Sequence, residues 1–259
     1  MKLKLYKKSH IGKRAINQDY VEFFVNQSDQ LLAILCDGMG GHKAGDIASE
    51  MAVLQLGHRW EQTACLTTVE SQAWLEKHIN IENQRIYRVA KRYTDLDGMG
   101  TTLVAAAFIN GDIIIGNIGD SRAYQLTKNQ LRLVTVDHSF ANELRLSGEI
   151  TEDEARTHRQ RHALTRSLGV FDKVKVDFFI LNTEETSLIM LCSDGLSNEL
   201  EETAISSILE ENGTLEEKAS QLVEQALLNG STDNITVCLI DPHSTNEEAQ
   251  TVKGKEESR

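Results

Sequence analysis

The sequence predicts an α+β protein in which packed antiparallel sheets carry helices on their outer faces. Strand-like apolar runs come in pairs separated by short turns, and helical patterns come in pairs between groups of strands. No internal repeat is apparent in the chain. This order favours antiparallel sheets over a parallel sheet in which strands and helices alternate.

The first part of the chain predicts two strands followed by two helices. Residues 20–26 alternate apolar and polar side chains, and the continuously apolar run 31–36 is typical of a strand covered on both faces. Apolar residues recur at helical spacing over 47–58 and again, over a longer stretch, at 75–93.

Short strand-like runs follow at 101–109, 112–117 and 122–127. The dipeptide Asn110-Gly111 separates the first two runs, and this pair is a strong hairpin signal because both residues tolerate positive φ. These three runs therefore predict strands joined by tight turns.

The segment 140–166 has a different character, because it is polar and charged and contains only short helix-like pieces. Thr151 and Glu154 have the spacing of a capping box at a helix start. Regular structure then returns: we expect strands, a helix and a final strand in the order 174–181, 187–191, 215–226 and 234–240.

Composition limits the possible classes of protein. The 259 residues carry a net charge of −12, which argues against nucleic-acid binding because such proteins need a basic face. No apolar run has the length of a membrane span, and the N-terminus lacks a signal-peptide core. We expect one domain over residues 1–241, a disordered polar tail over 242–259, and a monomeric cytoplasmic protein with no membrane insertion.

The four cysteines favour a structural interpretation. Cys36, Cys192 and Cys238 lie in apolar strand-like runs, and the fourth is Cys65. No pair has C-x-x-C spacing, so small buried side chains in a reducing compartment are expected rather than a zinc site or disulfides.

Aspartates at the ends of apolar runs are the most informative chemical feature of the chain. Asp37, Asp120 and Asp194 each follow such a run, and Asp233 precedes the last one. A carboxylate at a buried strand end is costly unless it is neutralised, so several from distant segments suggest a shared cation site. Oxygen ligands of this kind are preferred by hard divalent cations.

Three other motifs resemble known functional patterns but do not match them in full. The glycine-rich loop 37–45 follows a strand, but it matches neither the dinucleotide-binding nor the P-loop pattern. Asp137, His138 and Ser139 are consecutive and so cannot assemble a catalytic triad; Asp137 and Ser139 are more typical of turn or N-cap positions. His158 and His162 have zinc-helix spacing, but Arg159 stands where a zinc protease has glutamate, so a solvated helix face is favoured.

Arg14 and Asp19 allow two interpretations. Alone, a guanidinium and a carboxylate in one polar loop most often form a surface ion pair. Beside a metal cluster, Arg14 would instead be a fork for phosphate oxygens, and Asp19 would hold a metal-bound water.

Eight motifs occur in order along the chain: R-x-x-N-Q-D at 14–19, D-G-M-G-G-H at 37–42, M-G-T-T at 99–102, G-D-S-R at 119–122, D-H-S at 137–139, L-T-R-S-L-G at 164–169, S-D-G-L at 193–196 and D-N-I-T-V at 233–237. Together they closely resemble the metal-dependent 2C-type protein serine/threonine phosphatases. The resemblance runs from about residue 2 to residue 240, and it is strongest to the compact bacterial branch found beside membrane serine/threonine kinases in Gram-positive bacteria.

The resemblance implies a fold and a metal site. The fold would be a four-layer αββα sandwich of two antiparallel sheets flanked by helices, with a mobile flap at about 140–166. The cofactors would be two Mn²⁺ or Mg²⁺ ions, with the metal ligands Asp37, Gly38, Asp194 and Asp233. Asp37 would bridge both ions, Gly38 would offer its carbonyl, and Asp120 with Asp194 would hold a third, weaker ion.

Two positions depart from patterns seen among relatives. Members of the eukaryotic type have a histidine, a candidate general acid, where this chain has Met39, and a thioether cannot donate a proton. His42 or metal-bound water could protonate the leaving oxygen, and the sequence does not choose between them. Some relatives have an acid at the position of Gln18, so this site would carry less negative charge.

These expectations combine into a function: hydrolysis of phosphoserine and phosphothreonine in proteins by a metal-activated water. Asp37, Asp19 and Arg14 would be the catalytic residues, and Arg14 would also bind the substrate phosphate. The partners would be phosphorylated proteins, including a cognate membrane kinase whose action is reversed. The alternative is a catalytically silent phosphoprotein-binding regulator with the same fold, which would be expected to lack some of the metal-binding carboxylates.

Overall fold

The computed structural model describes residues 3–128 and 130–243. Its strands are β1 (Lys4–His10), β2 (Asp19–Val25), β3 (Leu31–Met39), β4 (Gly100–Thr101), β5 (Leu103–Ile109), β6 (Asp112–Ile118), β7 (Arg122–Leu126), β8 (Leu131–Leu133), β9 (Asp177–Asn182), β10 (Leu188–Cys192) and β11 (Ile235–Asp241). Its helices are α1 (Gly41–Trp60), α2 (Thr68–Arg92), α3 (Phe140–Leu146), α4 (Glu152–Thr157), α5 (Asp194–Ser197), α6 (Glu202–Glu210) and α7 (Leu215–Leu228), with a 3-10 turn at Thr94–Leu96.

The strands form two antiparallel sheets. The five-stranded sheet has the order β1-β11-β10-β7-β8. The six-stranded sheet has the order β2-β3-β5-β6-β9, and the short β4 pairs with β3 beside it. The strand pairs recorded within the described ranges are all antiparallel, as the sequence predicted.

Three apolar cores hold the layers together. Side chains from α1 and α2, including Trp60 and Ile79, pack on the outer face of the six-stranded sheet. Side chains from α6 and α7, including Leu222, cover the outer face of the five-stranded sheet. Residues such as Leu35 and Leu191 fill the space between the sheets. The result is the expected four-layer αββα sandwich.

The Asn110-Gly111 hairpin is present where the sequence predicts it. Ile109 pairs with Asp112, and both turn residues have positive φ, 48° at Asn110 and 100° at Gly111. Two consecutive positive φ values match the twist of the flanking strands. The hairpin joins β5 to β6 in the middle of the six-stranded sheet.

The expected flap is an excursion of short helices. It contains α3 and α4; Ser139 caps α3, and Thr151 and Glu154 form the predicted capping box of α4. His158 and His162 are not in a helix, because α4 ends at Thr157, so their i,i+4 spacing does not bring them onto one helix face. His162 is exposed, and His158 is partly so.

Several elements were not predicted from the sequence. The strands β1 and β8 are only half-buried and lack a clear apolar alternation, and α5 has just four residues. The helix α6 follows an acidic stretch whose pattern gave no prediction. The predicted tail lies outside the described residues from 244 onward. Among the described residues, no helix is both long enough and apolar enough to cross a membrane.

Candidate active site

Strand ends bring the predicted aspartates to one end of the sandwich. A cavity of about 740 Å³ opens there. It is lined by residues from both sheets, the first loop and the flap: Lys13, Arg14, Ala15, Ile16, Gln18, Asp37, Gly38, Met39, Gly40, Thr102, Asp120, His162, Leu164, Asp194, Asp233 and Asn234. Asp37, Asp120, Asp194 and Asp233, predicted from four distant segments, thus share one cavity, and the predicted Arg14 lies beside them.

Asp37 is fixed by Thr101, the last residue of β4, and by Thr102, which links β4 to β5. Its backbone N–H donates to Oγ1 of Thr102 at 2.9 Å, and its carbonyl accepts from Oγ1 of Thr101 at 2.8 Å. The backbone N–H of Thr102 donates to the same carbonyl at 2.8 Å. The M-G-T-T motif therefore holds the strand end that carries Asp37, a role that sequence reasoning did not identify.

Gly38 allows helix α1 to approach the end of β3. A Cβ atom at this position would collide with the backbone carbonyl of Gly45 in the first turns of α1. The backbone N–H of Gly38 donates to the carbonyl of Gln18 at 3.0 Å. Only a glycine therefore permits this close packing beside Asp37.

Asp19 lies directly opposite Asp37 in the pairing of β2 with β3, and its side chain is buried. Its Oδ2 accepts a hydrogen bond from Oγ of Ser193 at 2.7 Å. Its Oδ1 is buried and has no hydrogen-bond partner among the described residues. Ser193 thus ties the S-D-G-L motif to Asp19, a link that only the tertiary structure reveals.

Burial raises the pKa of Asp19 to about 7, although hydrogen bonds from Thr236 and Ser193 oppose this shift. Asp194 and Asp233 add to the rise because their negative charges lie nearby. The carboxyl of Asp19 therefore exchanges its proton near neutral pH.

The carboxylates of the cavity also raise one another's pKa. Burial raises the pKa of Asp37 well above its usual value, and the charges of Asp19, Asp194, Asp120 and Asp233 raise it further. The pKa of Asp120 is raised in the same way, first by burial and then by Asp194. Such crowding is unfavourable unless positive charge is added.

Asp194 and Asp233 lie next to the ends of two strands of the five-stranded sheet, β10 and β11. Asp194 begins α5 directly after β10, and its Oδ2 accepts from Nδ2 of Asn198 at 3.0 Å. Asp233 precedes β11, and its Oδ2 accepts from the Arg14 guanidinium at 2.7 Å. Asp194 therefore faces the flap, where Nδ1 of His162 lies 3.7 Å away, and Asp233 faces the loop that carries Arg14.

Arg14 corrects one sequence-based alternative. A surface ion pair between Arg14 and Asp19 was considered, but the salt bridge of Arg14 goes to Asp233, across the cavity rim. Asp19 is buried and bonded to Ser193 instead. The Arg14 side chain remains 56% exposed, so its other guanidinium edge is open to a ligand.

Asn234 holds the Arg14 loop against the five-stranded sheet. Its Nδ2 donates to the carbonyls of Ile11 at 2.9 Å and Ile16 at 3.1 Å. Its Oδ1 accepts from the backbone N–H of Gln18 at 2.8 Å. Three bonds from one amide thus position the loop, another role that the D-N-I-T-V motif did not disclose by itself.

The donor set fits divalent cations. The charges of neighbouring carboxylates add to the effect of burial in raising the pKa of Asp37, and the buried Oδ1 of Asp19 has no hydrogen-bond partner among the described residues. Within the described ranges, no three His, Cys, Asp or Glu side chains already form a group that could hold an ion. The carboxylates therefore line the cavity without converging on one point, and Asp233 forms a salt bridge with Arg14.

The cysteines play no visible part in this site. Cys36, Cys192 and Cys238 are buried, and burial raises the pKa of each thiol. The exposed Cys65 lies in the loop between α1 and α2. Among the described residues that line the cavity, none is a cysteine.

Comparison with known proteins identifies the family. Residues 7–229 match the protein phosphatase 2C family model. The serine/threonine phosphatase stp of Listeria welshimeri is 46% identical over 226 residues, which cover 87% of this chain and 90% of the relative. The chain belongs to the protein phosphatase 2C family. It is a protein serine/threonine phosphatase.

Solved structures agree with this assignment. The serine/threonine phosphatase Stp1 of Staphylococcus aureus superposes with a TM-score of 0.91 at 37% identity, covering 94% of this chain and 96% of that one. The catalytic domain of the phosphatase PstP, in complex with two manganese ions, has a TM-score of 0.80 at 32% identity, with coverage of 93% and 98%. The four-layer sandwich is therefore the fold of these phosphatases.

Proposed function

We propose that the chain removes phosphate from phosphoserine and phosphothreonine in proteins with the help of two Mn²⁺ or Mg²⁺ ions held in the carboxylate cavity. The observation that carries this proposal is the shared cavity of Asp37, Asp120, Asp194 and Asp233, with Arg14 at its rim. A PstP catalytic domain binds two manganese ions, which supports the same requirement here.

Asp37, Asp194, Asp233 and the carbonyl of Gly38 would hold the two ions, and Asp120 with Asp194 would hold a third, weaker one. Once bound, the ions would supply an activated water and positive charge for the phosphoryl oxygens. Burial raises the pKa of Asp37, and four neighbouring carboxylates raise it further, so bound positive charge would stabilise its ionised form.

The chain's own residues would position the substrate. Arg14 can offer the exposed part of its planar guanidinium to two phosphate oxygens, as bidentate pairs do elsewhere. The Oδ1 atom of Asp19, which has no hydrogen-bond partner among the described residues, would accept a hydrogen bond from a water held at the site. His162 and Leu164 of the flap line the cavity, where they would contact a bound peptide.

The leaving oxygen needs a proton, and Met39 cannot provide one. Met39 lines the cavity with a thioether, which has no acidic hydrogen. His42 was the side-chain candidate from the sequence, and its side chain lies outside the described residues. Asp19 has a pKa raised to about 7 by burial, but it is absent from the described residues that line the cavity, so it is not placed to protonate the leaving oxygen.

The cellular setting follows from the same proposal. The substrates would be phosphoproteins in the cytoplasm of a Gram-positive bacterium, including a cognate membrane serine/threonine kinase, and the enzyme would act as a monomer. The net charge of −12 means that anionic substrates are not gathered by the protein as a whole. Local positive charge at the cavity would attract them.

The test is phosphate release from a phosphothreonine peptide with Mn²⁺, with Mg²⁺, and with EDTA. The proposal expects release with at least one ion and none with EDTA. A parallel sample alkylated with iodoacetamide should keep its activity, because the mechanism needs no thiolate. Activity that survives EDTA but is lost on alkylation would contradict the proposal.

A further inference from the structure

A short neck connects the flap to the sandwich. The flap is residues 140–166, and its neck is formed by residues 138–140 and 163–165. Across the neck, the N–H of Phe140 donates to the carbonyl of Ala163 at 2.8 Å, and the N–H of Thr165 donates to the carbonyl of His138 at 2.9 Å. Both chain segments that enter the flap are therefore paired side by side.

Asp177 contacts both sides of this neck. Its Oδ2 lies 3.1 Å from Nε2 of His138, on the entering side, and its Oδ1 accepts from the Arg166 guanidinium at 2.9 Å on the leaving side. Asp177 is the first residue of β9 at the edge of the six-stranded sheet. One carboxylate on the sheet edge thus contacts both His138, just before the flap, and Arg166, the residue that ends it.

His138 extends the contact towards the cavity. Its Nδ1 accepts from the backbone N–H of Gly119 at 3.0 Å, and its own backbone N–H donates to the Gly119 carbonyl at 2.9 Å. Because Nδ1 accepts a hydrogen bond, the ring proton lies on Nε2 and is donated to Asp177, and burial lowers the pKa of the ring. Gly119 directly precedes Asp120, a cavity residue.

We infer that Asp177 is a positioning residue that sets the flap against the edge of the six-stranded sheet. This inference rests on the proposed function, because it assumes that a phosphoprotein substrate occupies the cavity. The flap contributes His162 and Leu164 to the cavity wall, so its position determines how a bound peptide is held. A small aryl phosphate needs the reaction centre but little of that wall.

The kinetic test compares Asp177→Asn with the wild-type protein on two substrates. An asparagine amide cannot accept from both His138 and Arg166 as a carboxylate does, so one of the two bonds is lost. The expected result is a KM for a phosphothreonine peptide raised about tenfold, with a much smaller change in kcat/KM for p-nitrophenyl phosphate. Equal losses on both substrates would overturn the positioning role.

Asp172→Asn is the matched control for this comparison. Asp172 is an exposed carboxylate five positions earlier in the chain, and the contacts to the neck belong to Asp177. The control removes the same charge from the same region. Its kinetics should match those of the wild-type protein on both substrates. A peptide KM raised as much as in Asp177→Asn would show that loss of one negative charge, and not loss of the contacts of Asp177, causes the effect.

Hydrogen exchange tests the inference without using activity. In Asp177→Asn, amides of the flap should exchange about tenfold faster or more, whereas those of α7 should not change. Arg166→Gln provides a second variant in case the first does not fold, since Arg166 is 31% exposed. Flap amides of the double variant should exchange no faster than those of the more affected single variant, because both substitutions disrupt the same contact between Asp177 and the flap.

These experiments distinguish failure of the Asp177 inference from failure of the proposed function. Unchanged flap exchange in both variants would overturn the role of Asp177, whatever the enzyme does. A wild-type protein that releases phosphate from neither substrate would overturn the proposed function, whereas faster flap exchange would still support the role of Asp177.

Discussion

Arg14 has two partners in this account, one observed and one proposed. In the structure it donates to Asp233 at 2.7 Å, and in the proposed function it binds the substrate phosphate. Its pKa is raised, first by the hydrogen bond with Asp233, so the guanidinium is always charged. The same side chain can therefore neutralise a carboxylate before substrate arrives and hold phosphate afterwards.

Arg14→Ala should raise the KM for a phosphothreonine peptide about ten- to hundredfold, because charge-assisted bonds to phosphate oxygens are lost. Steady-state kinetics would measure this. Lys13→Ala is the matched control, since Lys13 lines the same cavity with the same charge, and the bond to Asp233 belongs to Arg14. An unchanged KM in Arg14→Ala would show that Arg14 does not bind the substrate phosphate and has only a structural role.

Asp120 tests how the cavity carboxylates are divided among ions. Asp120→Ala should leave two Mn²⁺ ions bound, because the proposal gives Asp120 only to the third, weaker ion. Calorimetric titration of Mn²⁺ into the ion-free protein would count the sites. Loss of both strong sites would show that Asp120 belongs to the main pair.

Asp19 makes the ion-free protein sensitive to pH. Its pKa is raised from 3.8 to about 7 on folding, so the folded state keeps a proton that the unfolded state has released. Stability from this group is therefore present at low pH and is lost as the pH rises from about 4 to about 7. Asp37 and Asp120 shift in the same direction.

Asp19→Asn should remove the loss of stability that accompanies deprotonation of Asp19. In EDTA, the free energy of unfolding of the variant relative to wild type should rise between about pH 5 and about pH 8, by up to a few kcal/mol. Urea unfolding at the two pH values would measure it. The difference from wild type isolates Asp19 together with the carboxylates whose pKa it raises, such as Asp37, and a constant difference would contradict the raised pKa.

The sequence showed which residue types matter here, but not how they are held. Asp37 and Asp194 were predicted because each ends an apolar run. The roles of Ser193 and Asn234 were not, because their partners lie 174 and up to 223 positions away in the chain. Contacts of that range depend on how the sheets stack, which local patterns do not specify.

At the scale of elements, the site depends on the close approach of α1 to β3. Gly38 and Gly45 face each other so closely that a Cβ on either would meet the other's backbone. This contact fixes the loop between Asp37 and the start of α1. The glycines of the D-G-M-G-G-H motif thus serve packing as well as any ligand.

Gly38→Ala should destabilise the fold by about 1–3 kcal/mol or more, because the added methyl group meets rigid backbone. Gly148→Ala is the control. Gly148 has a φ of 79°, but a Cβ there meets nothing within 4 Å, so its cost is limited to about 1–2 kcal/mol of backbone strain. Thermal unfolding would compare them, and a smaller loss in Gly38→Ala would contradict the packing argument.

Elements with a strong period were predicted well, and marginal ones were missed. The helix α2 and the β5–β6 hairpin followed from spacing and from Asn110-Gly111. Strand β1 was missed because it is stabilised by pairing with β11, more than two hundred residues away. Its own side chains are only half-buried, so its sequence carries little strand signal.

At the scale of the whole molecule, the sandwich serves to gather distant strand ends. Asp19 and Asp37 come from the six-stranded sheet, and Asp194 and Asp233 lie next to the ends of two strands of the five-stranded sheet. Antiparallel pairing within each sheet and stacking between them place these residues at one end. The cavity between the sheets is therefore a property of the fold rather than of any one motif.

In the proposed function, this carboxylate cluster holds two divalent ions that carry the phosphatase reaction. The most direct measurement is the number of Mn²⁺ ions bound per chain, by equilibrium titration of ion-free wild-type protein and of Asp37→Ala. We predict two strongly bound ions in the wild-type protein, and in Asp37→Ala the loss of both together with nearly all phosphopeptide turnover. Two ions and near-normal turnover in Asp37→Ala would contradict the account.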